Sequence, residues 1–316
     1  METASNTLAL LDADSVSITT IIDNSLDHFL LETHPVMRRP VLSWEDNPVA
    51  EHGLSLLIEI EGGGKRHTVL LDAGLSSMAL LHNMNVLQVP LDRIESIFLS
   101  HGHMDHIGGL MDLLGKIGRP IDLVSHPGAY CKRRLNLPGK GPQKELPGLD
   151  AVALRQAGAN ILTRPGPTLW CSDRLLALGH VERVTDFERG FPWAEIHQDD
   201  AWDADPFDDD QALVFHVRGK GLVIVSGCAH SGIINTVHYA RKVTGIDTVY
   251  AVMGGFHMTG PVFEPIIGQT VAAMRSIAPT YLIPMHCTGW KSIHAFAAAM
   301  PEQFLMNSVG TRCHFA

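Results

Sequence analysis

Residues 97–109, Ile-Phe-Leu-Ser-His-Gly-His-Met-Asp-His-Ile-Gly-Gly, constrain this chain more than any other stretch. An apolar run from Ile94 to Leu99 leads into His101, His103, Asp105 and His106, four metal-ligand side chains within six residues. The pattern predicts a buried strand feeding a loop, with Gly102, Gly108 and Gly109 leaving the backbone free to turn. Imidazole combined with carboxylate suits zinc, iron or manganese, whereas an oxygen-only calcium or magnesium site has no need of three histidines. The spacing is not that of His-Glu-x-x-His, the zinc pair on one helical face, and that sequence occurs nowhere in the chain. Successive side chains of an extended segment point to opposite sides. This predicts that His101 and His103 grip one ion, while Asp105 and His106, a turn further on, reach a second.

The rest of the composition limits what such a site can serve. A chain of 316 residues with 45% hydrophobic and 18% charged content can bury a large core in one domain or two. A formal charge of −10 speaks against a nucleic-acid binder, because phosphate contacts need a basic surface. A small polar substrate is expected instead, and homo-oligomerisation is left open. The first seven residues carry no basic segment or apolar core of signal-peptide type, and no apolar run approaches the ~18–20 residues of a membrane span. The expectation is a cytoplasmic protein without membrane contact. Five scattered cysteines without a C-x-x-C pair predict reduced thiols, not a disulfide framework or a structural zinc site.

In chain order, residues 16–22, 54–60 and 68–71 read as strands, with Gly62-Gly63-Gly64 as the turn between the last two. The long irregular connection after the first holds Asp23, Asn24 and Glu51-His52-Gly53, and its length points to function. Asp72 ends a buried strand, where an unpaired carboxylate is expensive. A helical stripe follows the metal loop over 107–117, then a strand over 121–124. Residues 126–208 break up into Pro- and Gly-rich sequence with a basic cluster (Lys132, Arg133, Arg134), a β-rich part around 168–182 and an acidic end. This tract is expected to be an insertion flanking the site, and the basic cluster a solvated face. Strands over 212–217 and 222–225, a helix from 233, a strand over 248–253, a helix over 265–278 and a strand over 281–285 complete the reading. Three strand ends lead to His230, His257 and His286, at the position where α/β sheets place active sites.

His-x-His-x-Asp-His after a strand, followed by a leucine-rich helix, resembles the metal motif of the metallo-β-lactamase superfamily. The resemblance implies an α/β fold, a four-layer αβ/βα sandwich spanning 1–316 as a single domain, with metals at the edge between two sheets. It implies two divalent transition-metal ions, Zn²⁺ first, with Fe or Mn as alternatives. His101, His103 and His230 would hold one ion and Asp105, His106 and His286 the other. Asp72, Cys228 and Cys287 would support these ligands from behind. Asp105, His257 and His52 are the expected catalytic residues. Many dinuclear members carry a bridging aspartate on the strand before the last ligand; here that region reads Met253-Gly254-Gly255-Phe256-His257. A water alone, or His257 as an extra ligand or proton donor, is then expected to take its part.

Further segments narrow the resemblance: Glu51-His52-Gly53-Leu54-Ser55, Gly179-His180-Val181-Glu182-Arg183 with Phe187-Glu188, Asp209-Asp210-Gln211-Ala212, Ser226-Gly227-Cys228-Ala229-His230 and His286-Cys287-Thr288-Gly289. Over about residues 16–300 they are similar to the 7,8-dihydropterin-6-yl-methyl-4-(β-D-ribofuranosyl)aminobenzene-5′-phosphate synthase branch. The implied activity is two-metal hydrolysis of an ester, phosphodiester or related bond in a small polar substrate, pterin- or phosphate-containing by that resemblance. Alternatives are the synthase-type transfer and di-iron redox chemistry. Against the redox reading, such members usually replace the second motif histidine by glutamate and add a flavin domain, and His103 is a histidine. A metal-retaining binding module is weakened because every ligand of the first motif is intact.

Overall fold

Strand residues alternate between two partners, and this alternation builds the architecture. In the first sheet Val69, Leu71, Phe98 and Val124 pack toward a second sheet, while Leu70, Ile97 and Leu123 pack beneath helices Ser77–Val86 and Leu110–Ile117. In the second sheet Leu213, Phe215, Val223, Val225 and Met253 meet the first, while Val214, Leu222, Ile224 and Val252 face helices Ile233–Thr244, Ile267–Ile277 and Trp290–Ala299. The result is the expected αβ/βα sandwich. The computed structural model describes residues 7–32, 34–41, 43, 45–140 and 144–316, so most of the amino-terminal stretch read for a leader lies outside the described residues. Among the described residues no helix is long and apolar enough to cross a membrane.

The first sheet has eight strands, in the order Met37–Arg38, Arg312–Phe315, Ser15–Ile22, Ser55–Gly62, Lys65–Leu71, Ser96–Phe98, Ile121–Ser125 and Ala159–Thr163. Its last four run parallel, and Leu71, Phe98 and Val124 lie in register. That register sets Asp72 beside the segment that enters the metal loop. The second sheet runs Thr168–Trp170, Leu175–Ala177, Ala212–Val217, Gly221–Ser226, Val249–Gly255 and Tyr281–Met285, with Asp12–Ala13 joined to its third strand. Its last three strands are parallel, with Ser226 level with Gly254 and Gly255 level with Met285. Cys228, His257 and His286 therefore leave the sheet at one edge.

The tract 126–208 divides. Residues 159–163, 168–170 and 175–177 take places in the two main sheets, and a separate three-stranded sheet is made by Arg133–Leu135, Ala194–Gln198 and Ala201–Ala204. The segment leading into its second strand is tied to the body by Glu188, whose carboxylate accepts the Ile234 and Asn235 N–H groups at the start of the helix after His230. Gly232 allows the approach: its φ is 99°, and a Cβ there would meet Glu188 Oε2 at 2.2 Å.

The basic cluster is solvated at Lys132, which is exposed, but not at its two arginines. Arg133 is buried, its Nε and Nη2 each donating at 2.7 Å to Asp205 and Asp209, and Arg134 pairs with Glu195 beneath Trp202. The predicted helix from 107 also begins earlier. Met104–Ile107 is a first short turn, and Leu110–Ile117 follows after Gly108 and Gly109. Asp105 and His106 thus sit on a helical turn, not on the extended segment that presents His101 and His103.

Candidate metal centre

Asp72 is the anchor of the centre. It is fully buried with φ 60°, and its carboxylate accepts Ser100 N–H and Ser100 O–H at 2.7 Å each and His106 Nδ1–H at 2.6 Å. A left-handed non-glycine residue is held only where its surroundings over-determine it, and three hydrogen bonds do so here. Nδ1 donates to Asp72, so Nε2, which faces Cys228 Sγ at 3.1 Å and Asp105 Oδ2 at 3.6 Å, is the nitrogen that gives up its proton to bind a cation. Burial disfavours a charged His106, but the Asp72 and Asp105 carboxylates outweigh it and raise its pKa to about 9 before any cation is counted. Ser100 Oγ, donating to Asp72, accepts His101 Nδ1–H at 2.9 Å, and this leaves His101 Nε2 free to bind.

His286 is set in the same way from the irregular segment after the first long strand. Asp23 Oδ1 accepts His286 N–H at 2.8 Å, and Asn24 Oδ1 accepts His286 Nδ1–H at 3.1 Å. His286 Nε2 then lies 3.3 Å from Asp105 Oδ2 and 3.4 Å from Cys228 Sγ. On the other side His101 Nε2 and His230 Nε2 face each other at 3.3 Å. Burial, then the neighbouring imidazoles, hold both of these histidines well below the ordinary range and therefore neutral. Burial works against an ionised Asp105, but His106, His286 and His103 outweigh it and keep its carboxyl well below the usual carboxylate range.

These spacings fit metal ligation. Nitrogen or oxygen donors ~2.0–2.1 Å from a tetrahedral ion stand ~3.3 Å apart, and a sulfur at ~2.3 Å stands ~3.5 Å from such a neighbour. Two facing imidazole nitrogens with no acceptor between them are likewise better served by a cation than by each other. The donor atoms gather as Asp105, His106, Cys228 and His286 in one group and His101, Cys228 and His230 in a second, each within 4.8 Å. Cys228, expected behind the ligands, has its sulfur among them. His103 packs its ring 4.5 Å from His101 and 4.8 Å from His230, centroid to centroid, but its nitrogens are not in the compact second group. Cys287 gathers with Cys228 and His257 in a third donor group, its Sγ accepting His257 N–H and donating to Cys228 Sγ, each at 3.3 Å.

The expected catalytic histidines lie on opposite flanks. His52 is 64% exposed, with Nε2 3.5 Å from Asp105 Oδ2 and Nδ1 bonded to Asn24. His257, at φ 44°, packs its ring 4.2 Å from His230 and 4.6 Å from Phe263, and its buried Nδ1 has no partner. It lines a cavity of about 500 Å³ together with His230, Phe256, Met258, Phe263 and Arg189.

Several positioning residues carried no assigned role in the sequence reading. Asp209 accepts Gly102 N–H, Asp210 accepts Ser231 N–H, and the Gln211 side chain donates to Leu99 O, so Asp209-Asp210-Gln211 fixes both histidine loops from one strand start. Glu51 accepts Leu75 and Ser76 N–H groups and holds the entry to helix Ser77–Val86. The acidic run was visible, but its partners lie 21 to 112 residues away in sequence, and no local pattern reports them.

Residues 49–251 match the family model described as the metallo-beta-lactamase superfamily. Over 292 residues, 90% of this chain and 94% of the relative, the sequence is 30% identical to the 7,8-dihydropterin-6-methyl-4-(beta-D-ribofuranosyl)-aminobenzene-5'-phosphate synthase of Methanocaldococcus jannaschii. It is 31% identical over 245 residues to the uncharacterized protein MJ0448 of the same organism, covering 77% of this chain and 86% of that one. Among solved structures, Tm1679, described as a metal-dependent hydrolase of the beta-lactamase superfamily, superposes with a TM-score of 0.72 at 21% identity, covering 94% of this chain and 98% of its own. That likeness bears on the fold. With its sandwich, its strand-end histidines and its donor groups for divalent metal, the chain belongs to the metallo-beta-lactamase superfamily of enzymes.

Proposed function

We propose that the protein is a two-metal hydrolase acting on an ester, phosphodiester or related bond of a small polar substrate. The observation that carries the reading is the meeting of two donor groups at one sheet edge, beside a cavity of ligand size. His101 and His230, with His103 alongside, would hold one ion, and Asp105, His106 and His286 the other. Zinc is the expected metal, with iron or manganese as alternatives. Bound there, the ions would supply Lewis acidity and bring the pKa of a water toward ~7.

The chain's own residues do the rest. Asp105 faces the second ion position and His52, and it orients the attacking water and takes its proton, with His52 leading toward solvent. His257, which lines the cavity, contacts the substrate or protonates its leaving group. Phe256, Phe263 and Met258 seat an apolar or flat part of the substrate, and Arg189 at the mouth favours an anionic substituent.

A second reading is transfer in place of hydrolysis, favoured by the 30% identity, over most of both chains, to a relative named as a synthase. Both readings are tested by metal analysis of protein purified without chelator, followed by turnover of chromogenic esters and phosphodiesters with and without chelator. Two equivalents of metal and chelator-sensitive turnover, with ¹⁸O from water entering the product, are expected. Zero or one equivalent under metal-replete conditions would sink the two-ion site. A product joining two substrates without ¹⁸O would favour transfer.

A further inference from the structure

We propose that Cys228 supplies one thiolate shared between the two metal positions. The proposal rests on the two-ion reading above and says what joins its halves. Among the described residues, Cys228 Sγ is the donor common to the Asp105–His106–His286 group and to the His101–His230 group. It lies 3.1 Å from His106 Nε2 and 3.4 Å from His286 Nε2, close to the ~3.5 Å expected of a sulfur and a nitrogen on one ion. Among the described residues no carboxylate is common to both groups. Asp72 already accepts hydrogen bonds from Ser100 and His106, Asp105 is a donor of the His106–His286 group alone, and the neighbouring strand ends in Gly254-Gly255, followed by Phe256-His257.

The backbone is shaped to bring the sulfur in. Gly227 passes so close to the anchor that a Cβ would sit 2.1 Å from Ser100 Oγ and 3.2 Å from Asp72 Oδ2. The next residue is thereby drawn onto the ligand ring. Ala229 at φ 53° then reverses the chain, so that Cys228 and His230 both face the centre. Behind the sulfur, the Cys287 thiol donates to Cys228 Sγ at 3.3 Å, and Cys287 is itself held by His257 N–H. This contact fixes the direction of the Cys228 sulfur. The chemical consequence is selectivity. A shared thiolate favours zinc, iron(II) or cobalt(II) over manganese or magnesium, which prefer oxygen donors.

The test loads the metal-free full chain with cobalt(II) and follows binding by isothermal titration and absorption. A shared thiolate predicts two equivalents bound, sulfur-to-cobalt charge-transfer absorption growing with both the first and the second, and magnetic coupling of the pair in electron paramagnetic resonance. Cys228→Ser should abolish the band and weaken binding of the second ion by tenfold or more, whereas Cys287→Ser should keep the band. Because Cys228→Ser stands in a buried site, Cys228→Asp is the second variant. It is expected to bind two ions without the band, a carboxylate having replaced the thiolate. A band that saturates at one equivalent while a second ion binds, or that survives Cys228→Ser, overturns the shared thiolate and leaves the two-ion reading standing. A wild-type chain that takes up one ion overturns both.

Discussion

Replacing Asp72 by Asn removes one charge without changing shape, and its cost can be worked from the hydrogen bonds. The carboxylate accepts three: Ser100 N–H and O–H at 2.7 Å and His106 Nδ1–H at 2.6 Å. An Asn side chain keeps one oxygen. With that oxygen on Ser100 N–H, its NH₂ faces His106 Nδ1, and two donors oppose each other in a site without water access. The imidazole relieves this by moving its proton to Nε2, the nitrogen that faces Cys228 and Asp105. The ligand is then in the wrong tautomer. Loss of such an outer partner costs roughly 10- to 100-fold in metal affinity, about 1.4–2.7 kcal/mol. The metal-free fold should lose a similar ~1.5–3 kcal/mol, the worth of a hydrogen bond to a charged group. Competition with a chromophoric zinc chelator measures the first quantity and urea unfolding of the metal-free protein the second. An Asp72→Asn variant with zinc affinity within twofold of wild type would refute the argument that this carboxylate sets the His106 tautomer.

Three shorter predictions follow from the same geometry. Asp105→Asn should fold and lose on the order of 10²-fold or more in turnover of a chromogenic ester, and unchanged turnover in the metal-loaded variant would remove Asp105 from the reaction. His257→Ala should cost on the order of 10²-fold in rate if this cavity-lining ring meets substrate; a near-normal rate with slightly lowered stability would make it a buttress of the loop. Arg133→Met leaves Asp205 and Asp209 buried without their cation, so ~3–5 kcal/mol of destabilisation in denaturant titration is expected, and a loss under 1 kcal/mol would show that the pair is solvated.

What was legible in the sequence was local. The strand entering His101, the four-donor run to His106 and the three later strand ends with histidines can be read because ligand type, period and turn residues are carried by neighbouring positions. The nearly unbroken apolar runs over 212–217, 222–225 and 248–253 likewise read as strands, and the observed strands agree within a residue or two. The strand Arg312–Phe315 was not legible, because its pairing partner Val16–Thr19 lies nearly three hundred residues away.

Tertiary structure decided the rest of the site. Arg133 read as one of three adjacent surface charges, yet the fold buries it against Asp205 and Asp209 and, through Asp209, pins Gly102 of the metal loop. Asn24 gave no sign that it would orient both His286 and His52. Cys228 stands between a glycine and an alanine, where a thiol looks like any small core residue. Its place among the donors exists only because parallel strands in register bring three loops to one edge, while Gly227 lets that edge close on Asp72. Ligand identity is a property of single residues, but ligand geometry is a property of register and close approach between segments that the chain does not place side by side.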